Sequence, residues 1–274
     1  MILLVSSAKD IASSNIKAQV LGHYHFESTE STFHNNPVYS ASIRGKEVRL
    51  ITLTEEAIYT QDLPGNFADL NLIIFISRHS SQSGKPTLSV HAPGNLGPAE
   101  LGGLPRNVSV SAATAMRDAL RALRHYQEKE CLGYEVSYEC THHGPSLSIP
   151  TMFVELGSSL EQWRDPKAAE AVAHATVEAI AKFGTTENVA ALGIGGPHYN
   201  KRFTRMALDD EAIFGHIIPK YALPYVDSEI LSQCVEKTLE KVTYAVLDWK
   251  GIQSEEKPRL LAALKDIGLP YRKE

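Results

Sequence analysis

Leu72-Ile73-Ile74-Phe75-Ile76-Ser77-Arg78-His79-Ser80-Ser81 is the stretch of sequence that decides the fold. Its first five residues are apolar without a break, which is typical of a strand buried on both faces of a parallel sheet. Its last five residues are all polar and follow directly after that strand. Ligands of open α/β sheets gather beyond the carboxyl ends of the strands, so this stretch predicts a central strand and one wall of a site.

Similar apolar runs alternate along the chain with longer amphipathic segments. The predicted strands are Ile2–Val5, Val38–Arg44, Glu47–Leu53, Leu72–Ile76, Thr87–His91, Tyr134–Cys140, Thr151–Glu155, Val189–Ile194 and Tyr244–Leu247. The predicted helices begin near Asp10, Ser111, Pro166, Ser228 and Ser254, and the helix from Ser228 is expected to run to Val242. Such alternation predicts an α/β fold with a three-layer α/β/α arrangement and a mixed, mostly parallel sheet. We expect a single domain over residues 1–274, with a β-hairpin insertion around 37–53 that turns at Gly45-Lys46.

The composition excludes several classes of protein. The 274 residues are 43% hydrophobic and 22% charged, as in ordinary globular proteins, and no apolar run approaches the length of a membrane helix. The net charge of −5 argues against a protein that coats nucleic acid, DNA included. Three cysteines in no metal-binding motif indicate a reducing cytoplasm rather than a disulfide framework.

Histidines follow four of the predicted strands. If these strands are parallel, their carboxyl ends share one edge, and the histidines should converge there with Glu155 beside them. His142 and His143 are adjacent, and neighbouring residues of a strand point to opposite faces. We therefore expect only one of the two to bind a given ion, unless the backbone turns at Gly144. The histidines concerned are His79, His91, His142, His143 and His198.

A cleft of imidazoles and one carboxylate is compatible with two kinds of chemistry. Three such ligands and one open position are typical of a catalytic zinc ion, which activates water toward an ester or amide. The same residues can also work without metal, with one histidine as the general base and another as its partner. The sequence contains no HExxH or CxxC motif, so both interpretations stay open.

Three further segments are candidates for substrate contacts. Gly94 to Pro105, rich in glycine and proline, predicts a loop that is either a lid or a plain connector. Gly193-Ile194-Gly195-Gly196 is either an anion site or a tight turn that needs positive φ. Lys201-Arg202-Phe203-Thr204-Arg205 is the densest basic cluster, and it either holds phosphates or is a solvated face.

Five motifs together resemble the D-aminoacyl-tRNA deacylases of archaea and plants. The resemblance implies hydrolysis of the ester between a D-amino acid and the 3′ end of tRNA, a Zn²⁺ requirement, and a phosphorylase/hydrolase-like fold similar to that of peptidyl-tRNA hydrolase. The motifs are Ser77-Arg78-His79-Ser80-Ser81, His91-Ala92-Pro93-Gly94-Asn95, His142-His143-Gly144-Pro145-Ser146, Glu155-Leu156-Gly157-Ser158 and Gly195-Gly196-Pro197-His198-Tyr199.

The resemblance also suggests roles for individual residues. Three residues are expected to act in catalysis: His143, Glu155 and His79. The expected zinc ligands are His91, His142 and His198. The expected substrate contacts are Arg78, Ser80, Asn95, Lys201, Arg202 and Arg205. We expect a cytoplasmic protein, monomeric, with D-aminoacyl-tRNA as its substrate.

Three alternatives to the deacylase are compatible with the residues. A zinc exopeptidase would use a similar cleft on peptides. A nucleoside phosphorylase-like enzyme would use the glycine turn to bind inorganic phosphate. A tRNA-end binding module would bind without turnover, and its binding would survive the loss of His143 and Glu155.

Overall fold

The computed structural model describes residues 1–186 and 188–274 of the chain. The strands are β1 (Ile2–Ser7), β2 (Glu27–Phe33), β3 (Asn36–Ile43), β4 (Lys46–Leu53), β5 (Leu72–Arg78), β6 (Thr87–His91), β7 (Gly94–Asn95), β8 (Asn107–Val108), β9 (Glu135–Tyr138), β10 (Thr151–Gly157), β11 (Val189–Ile194), β12 (Phe214–Ile218), β13 (Lys241–Leu247) and β14 (Tyr271–Lys273). The helices are α1 (Ile11–His23), α2 (Ala113–Lys129), α3 (Leu160–Trp163), α4 (Pro166–Lys182), α5 (Lys201–Leu208), α6 (Ser228–Glu236) and α7 (Lys257–Asp266). None of the described helices is long and apolar enough to cross a membrane.

Eight strands form the large sheet in the order β2-β3-β4-β1-β5-β10-β6-β9. The central strands β4, β1, β5 and β10 are mutually parallel, as the apolar runs predict. β6 instead pairs antiparallel with β10, and β9 runs with β6. The premise that all the histidine-bearing strands end at one edge is therefore wrong. The histidines still converge, because His91 at the end of β6 lies opposite Phe153 in β10.

A second sheet of four parallel strands has the order β12-β11-β13-β14. The sequence pattern predicts β11 and β13 but not their separation from the large sheet. Helices cover both faces of this small sheet: α5 packs on one face, and α6 and α7 pack on the other. The mixed, mostly parallel α/β fold expected from the sequence is thus confirmed, with its strands divided between two main sheets.

The two faces of the large sheet have different covers. Apolar residues of α1, α2 and α4 pack on one face, in a core that continues to β11, β12 and β13 of the small sheet. Irregular segments cover the other face, where Leu63 and Leu147 pack against Phe75 and Phe153. Because loops rather than helices cover this face, polar side chains can reach the sheet from several parts of the chain.

Two local predictions differ from the structure. The 37–53 hairpin exists as β3 and β4, but its turn residues are Arg44 and Gly45, both at positive φ, and β4 is a sheet neighbour of β1. β2, which is polar and lacks an apolar face to signal it, extends the hairpin outward. The helix predicted from Ser228 to Val242 ends at Glu236, because the backbone beyond it bonds to Ser111 and then enters β13.

Candidate active site

Adjacent strands bring the carboxylate of Glu155 to the loop-covered face of the large sheet. Glu155 lies opposite Ser77 of β5, whose hydroxyl donates a hydrogen bond to Oε1 at 2.5 Å. The Nδ1 atom of His79 is 3.4 Å from Oε2, and the Nε2 atom of His91 is 3.6 Å from it. Burial opposes the charge of Glu155, but hydrogen bonding from His79 and the nearby His91 imidazole lower its pKa to about 2. The site is therefore built on a sheet face, around an ionised carboxylate.

His142 and His143 point into the same space, contrary to the expectation from strand alternation. β9 ends at Tyr138, and His143 has a φ of +43°, so the backbone has already left the extended form at this pair. Their ring centroids are 4.3 Å apart, and both rings lie within 5 Å of the His91 ring. The backbone therefore does turn at this pair, at His143 rather than at Gly144, and both rings face the same space.

Backbone carbonyls set the tautomers of this pair. Nδ1 of His142 lies 2.8 Å from the carbonyl oxygen of Cys140, and Nδ1 of His143 lies 2.7 Å from that of Gly144. A carbonyl oxygen only accepts, so each Nδ1 carries the proton and each Nε2 keeps a lone pair. Burial lowers the pKa of His142 well below its usual range and, with His91 nearby, that of His143 to about 4. Both rings are neutral at physiological pH.

Glu139 is the functional residue that the sequence reasoning missed. Its carboxylate is buried, 2.7 Å from Nε2 of His198, 3.0 Å from Nδ1 of His79 and 3.6 Å from Nε2 of His142. Burial opposes ionisation, but the hydrogen bonds from His198 and His79 hold the pKa of Glu139 well below normal. Burial opposes the charge of His79, but its hydrogen bonds to Glu139 and Glu155 raise its pKa to about 11. A carboxylate directly after a largely buried strand was the available signal.

His198 lies on the other side of this carboxylate, away from the His91 ring. Its Nδ1 atom is 3.3 Å from the Cys140 thiol and 3.0 Å from the hydroxyl of Tyr221. Burial lowers the pKa of His198, but Cys140 and Glu139 raise it to about 10. The predicted ligand set of His91, His142 and His198 stays a prediction. Potential ligand atoms of His142 and His198 lie within 4.8 Å of one another together with Cys140, and those of His91 and His142 do so together with His143. Tyr221 was not predicted, because no local pattern marks it.

His91, His142 and His143 form a compact group of imidazoles at the centre. Potential ligand atoms of these three residues all lie within 4.8 Å of one another. His91 is fully buried, and within residues 1–186 and 188–274 neither of its ring nitrogens has a hydrogen-bond partner. Buried polar atoms are almost always paired, so an unpaired imidazole between two others that offer lone pairs is the donor set expected of a zinc site.

A pocket of about 330 Å³ opens directly onto His142 and His143. The loop that follows β7 forms one wall, and the helical turn at 220–225 forms the other with Tyr221 and Tyr225. The loop is tied down by hydrogen bonds, since the Asn95 amide donates to the carbonyl oxygens of Gly102 and Leu104. The segment from Gly94 to Pro105 is therefore a wall of the pocket rather than a remote connector.

The predicted substrate contacts fall into two groups. Asn95 lines the pocket, whereas Ser80 is exposed outside it and Arg78 pairs with Glu56 at 2.8 Å. The basic cluster lies on α5, and each of its cations faces a carboxylate of the chain. Those pairs are Lys201 with Glu135 at 3.3 Å, Arg202 with Asp248 at 3.2 Å and Arg205 with Glu211 at 2.6 Å. Its role in holding phosphates stays a prediction, with less free positive charge than the sequence suggests.

The glycine turn after β11 adopts the conformation of a tight turn. Gly195 and Gly196 have φ values of +104° and +77°, and the Gly195 N–H donates to the carbonyl of Ile218. The Asp248 carboxylate packs against Gly196. Because the Gly195 N–H already has an acceptor and a carboxylate lies nearby, this turn is poorly suited to bind an anion. The phosphorylase alternative depends on such an anion site and is therefore not supported by this turn.

Fold and site together define an α/β enzyme whose centre combines histidines with two buried carboxylates. A family model described as D-aminoacyl-tRNA deacylase matches residues 66–272. The D-aminoacyl-tRNA deacylase of Thermococcus kodakarensis is 35% identical over 277 residues, 99% of each chain, and that of Pyrococcus abyssi is 34% identical over 280 residues, the whole of each chain. The crystal structure of AF0625, a conserved protein of unknown function, has a TM-score of 0.88 and 32% identity, covering 100% of this chain and 95% of that one. The chain belongs to the D-aminoacyl-tRNA deacylase family.

Membership of this family confirms the resemblance carried by the five motifs. It also confirms the deacylase activity expected from them, over the exopeptidase, the phosphorylase and the binding module. The family model begins before His79 and extends beyond His198, so it includes every histidine of the site.

Proposed function

We propose that this chain hydrolyses the ester between a D-amino acid and the 3′-terminal ribose of tRNA in the pocket in front of His142 and His143. The observation that carries the proposal is the pair of neutral imidazoles, with free Nε2 atoms, at the floor of a pocket walled by two tyrosines. Water activation needs such a lone pair or an ion held by it. A free tRNA and a free D-amino acid are the products.

The terminal adenosine is assigned to the tyrosine wall of the pocket. Tyr221 and Tyr225 are 54% and 49% exposed, so their rings are open to a stacking partner. Base–aromatic stacking contributes about 1–3 kcal/mol for each base. The Tyr225 ring packs directly over Gly97, where an added Cβ would approach its carbons to 2.8 Å. Gly97 thus allows the two walls of the pocket to meet, and the ester is directed toward the histidines.

Zinc is part of the proposal, and His91, His142 and His143 are the residues that would hold it. The unpaired nitrogens of His91 and the free Nε2 atoms of its neighbours fit that role. When bound, the ion supplies Lewis acidity, which acidifies water and polarises an ester carbonyl. This revises the predicted ligand set: His143 joins it, and His198 leaves it as a protonated partner of Glu139.

The side chains around this centre move the protons. The attacking water forms its bond to the ester carbon and gives its proton to Glu155, the ionised carboxylate 3.6 Å from His91. A carboxyl group with a pKa of about 2 then releases that proton to solvent. The hydroxyl of Tyr221 protonates the departing ribose oxygen as the ester bond breaks. His198, 3.0 Å from that hydroxyl and protonated, then replaces the proton and takes up another from solvent, which restores the starting state.

The direct test compares matched D- and L-aminoacyl-tRNAs, each incubated with the purified chain before and after exhaustive chelation. We expect release of the D-amino acid alone, loss of release after chelation, and recovery when Zn²⁺ is restored. Absence of release from the D-substrate with Zn²⁺ present would overturn the deacylase proposal. Undiminished release after chelation would keep the deacylase and overturn the zinc proposal.

A cytoplasmic location and a monomeric state also belong to this proposal. Aminoacyl-tRNA is a cytoplasmic substrate, and three cysteines without a disulfide framework suit a reducing compartment. The pocket is built from one copy of the chain, so turnover does not require a second. Sedimentation of the purified chain at micromolar concentration measures its state, and a stable dimer would contradict the monomer.

A further inference from the structure

A second group of metal-binding side chains lies on the helical face of the protein, apart from the active site. It joins His23, at the end of α1, to Glu170 and His174, which are one turn apart on α4. Potential ligand atoms of the three residues all lie within 4.8 Å of one another. These helices cover the opposite face of the large sheet from the loops around the active site.

The distances within this group suit an ion better than a hydrogen bond. One carboxylate oxygen, Oε1 of Glu170, is 3.5 Å from Nε2 of His23 and 3.4 Å from Nε2 of His174. Charge-assisted hydrogen bonds between such groups are about 2.7–2.9 Å long. Ligands bound tetrahedrally to zinc at about 2.0–2.2 Å are about 3.3–3.6 Å apart. The carboxylate is thus at the ligand–ligand separation of a zinc site from both imidazoles.

The neighbours of His174 hold its ring in the orientation a ligand needs. The hydroxyl of Tyr24 lies 2.6 Å from Nδ1, and the Tyr126 ring stacks on the imidazole with centroids 4.7 Å apart. The Tyr24 hydroxyl can accept the Nδ1 proton, and in that tautomer the lone pair is on Nε2, the atom that faces Glu170.

We propose that His23, Glu170 and His174 bind a divalent transition-metal ion, with zinc as the fitting example. Two imidazoles and a carboxylate are a common ligand set for this ion, with water completing the coordination. The side chains of His23 and Glu170 are 39% and 40% exposed, so an ion can enter from solvent. Because the ligands come from two helices, the ion links the end of α1 to α4 and stabilises their packing. The site has no part in the hydrolysis.

The test counts bound zinc in the full-length chain by equilibrium dialysis and elemental analysis. His174→Ala and Glu170→Gln should each bind one ion fewer than the wild type, with deacylase activity retained. Glu170→Gln keeps the size of the side chain, so it covers the case in which His174→Ala disturbs the packing of Tyr24. His25→Ala is the matched control, since His25 is an exposed histidine with a single carboxylate, Glu27, at 3.3 Å.

A second readout is the rise of the thermal midpoint on addition of Zn²⁺. We expect Zn²⁺ to raise the midpoint of the wild type and of His25→Ala by the same amount. The rise should be smaller in Glu170→Gln, which lacks the second site. The active-site variant His91→Ala should keep it, which separates the two sites. Equal zinc stoichiometry and equal midpoint shifts in Glu170→Gln and the wild type would overturn the proposal.

Discussion

Asp10 carries a buried carboxylate whose ionisation should be measurable in the stability of the fold. Its Oδ1 atom accepts the N–H of Ser13 at 3.0 Å, which caps α1, and its Oδ2 atom accepts the N–H of Arg78 at 2.7 Å. The second bond fixes the end of β5 next to His79. Burial outweighs both hydrogen bonds and raises the pKa of Asp10 to about 6. Asp10→Asn removes the charge and keeps the shape.

The shift fixes both the sign and the size of the effect. The pKa rises on folding from 3.8 to about 6, and one pKa unit corresponds to about 1.36 kcal/mol. Because the folded pKa is the higher one, this contribution stabilises the fold below the unfolded pKa and is lost as the pH rises through 6. Asparagine does not titrate. The free energy of unfolding of Asp10→Asn, relative to the wild type, should therefore rise by about 2–3 kcal/mol between pH 4 and pH 7.

Urea denaturation of both proteins at a series of pH values measures this difference. The loss of an acceptor for Arg78 adds a constant offset, so only the slope tests the reasoning. Asp227→Asn is the control: Asp227 caps α6, and bonds from Ile230 and Arg106 lower its pKa despite slight burial. Its contribution is lost as the pH falls below the unfolded pKa of 3.8, so its difference curve should be nearly flat between pH 4 and pH 7 and should slope the opposite way at lower pH. A flat or falling curve for Asp10→Asn would refute the burial argument.

Three further substitutions test the site and its pocket. Glu139→Gln leaves buried imidazoliums without their shared carboxylate, so unfolding by urea should show a loss of about 3–5 kcal/mol; a loss within error would contradict the charge assignment. Gly97→Ala places a Cβ 2.8 Å from the Tyr225 ring and should cost about 1–3 kcal/mol and raise KM, whereas Gly133→Ala, with open space around it, should do neither. Tyr225→Ala should raise KM for aminoacyl-tRNA about tenfold or more through lost stacking, and Tyr225→Phe should not. Equal KM values in the two variants would exclude stacking on this ring.

The parts of the fold that follow from local pattern could be predicted from the sequence. β1 and β5 are apolar without interruption because both faces of each strand are buried, and that signal lies within each strand. The pairing direction of β6 has no such signal. A strand buried on both faces has the same apolar pattern in a parallel and in an antiparallel pair. Tertiary contacts therefore decide that β6 pairs antiparallel with β10.

The location of the site could be predicted from the histidines that follow strand ends. The role of each histidine could not, because it depends on contacts between distant parts of the chain. His79, His91, His142, His143 and His198 do lie together. Their roles depend on Glu139, whose charge favours the protonated forms of His79 and His198, and on burial, which favours the neutral forms of His142 and His143. Tyr221 and Tyr225 reach the pocket from a helical turn far along the chain, so no spacing rule could assign them.

The central claim is that the neutral imidazoles facing the pocket carry the hydrolysis, and His143→Ala tests it most directly. The measurement is single-turnover release of the amino acid from D-aminoacyl-tRNA by the wild type and the variant, with enzyme in excess and folding confirmed by circular dichroism. We expect the variant's rate to fall by about two to four orders of magnitude, as when a group that activates water is removed. A folded His143→Ala variant that releases the D-amino acid at a rate near that of the wild type would contradict the claim.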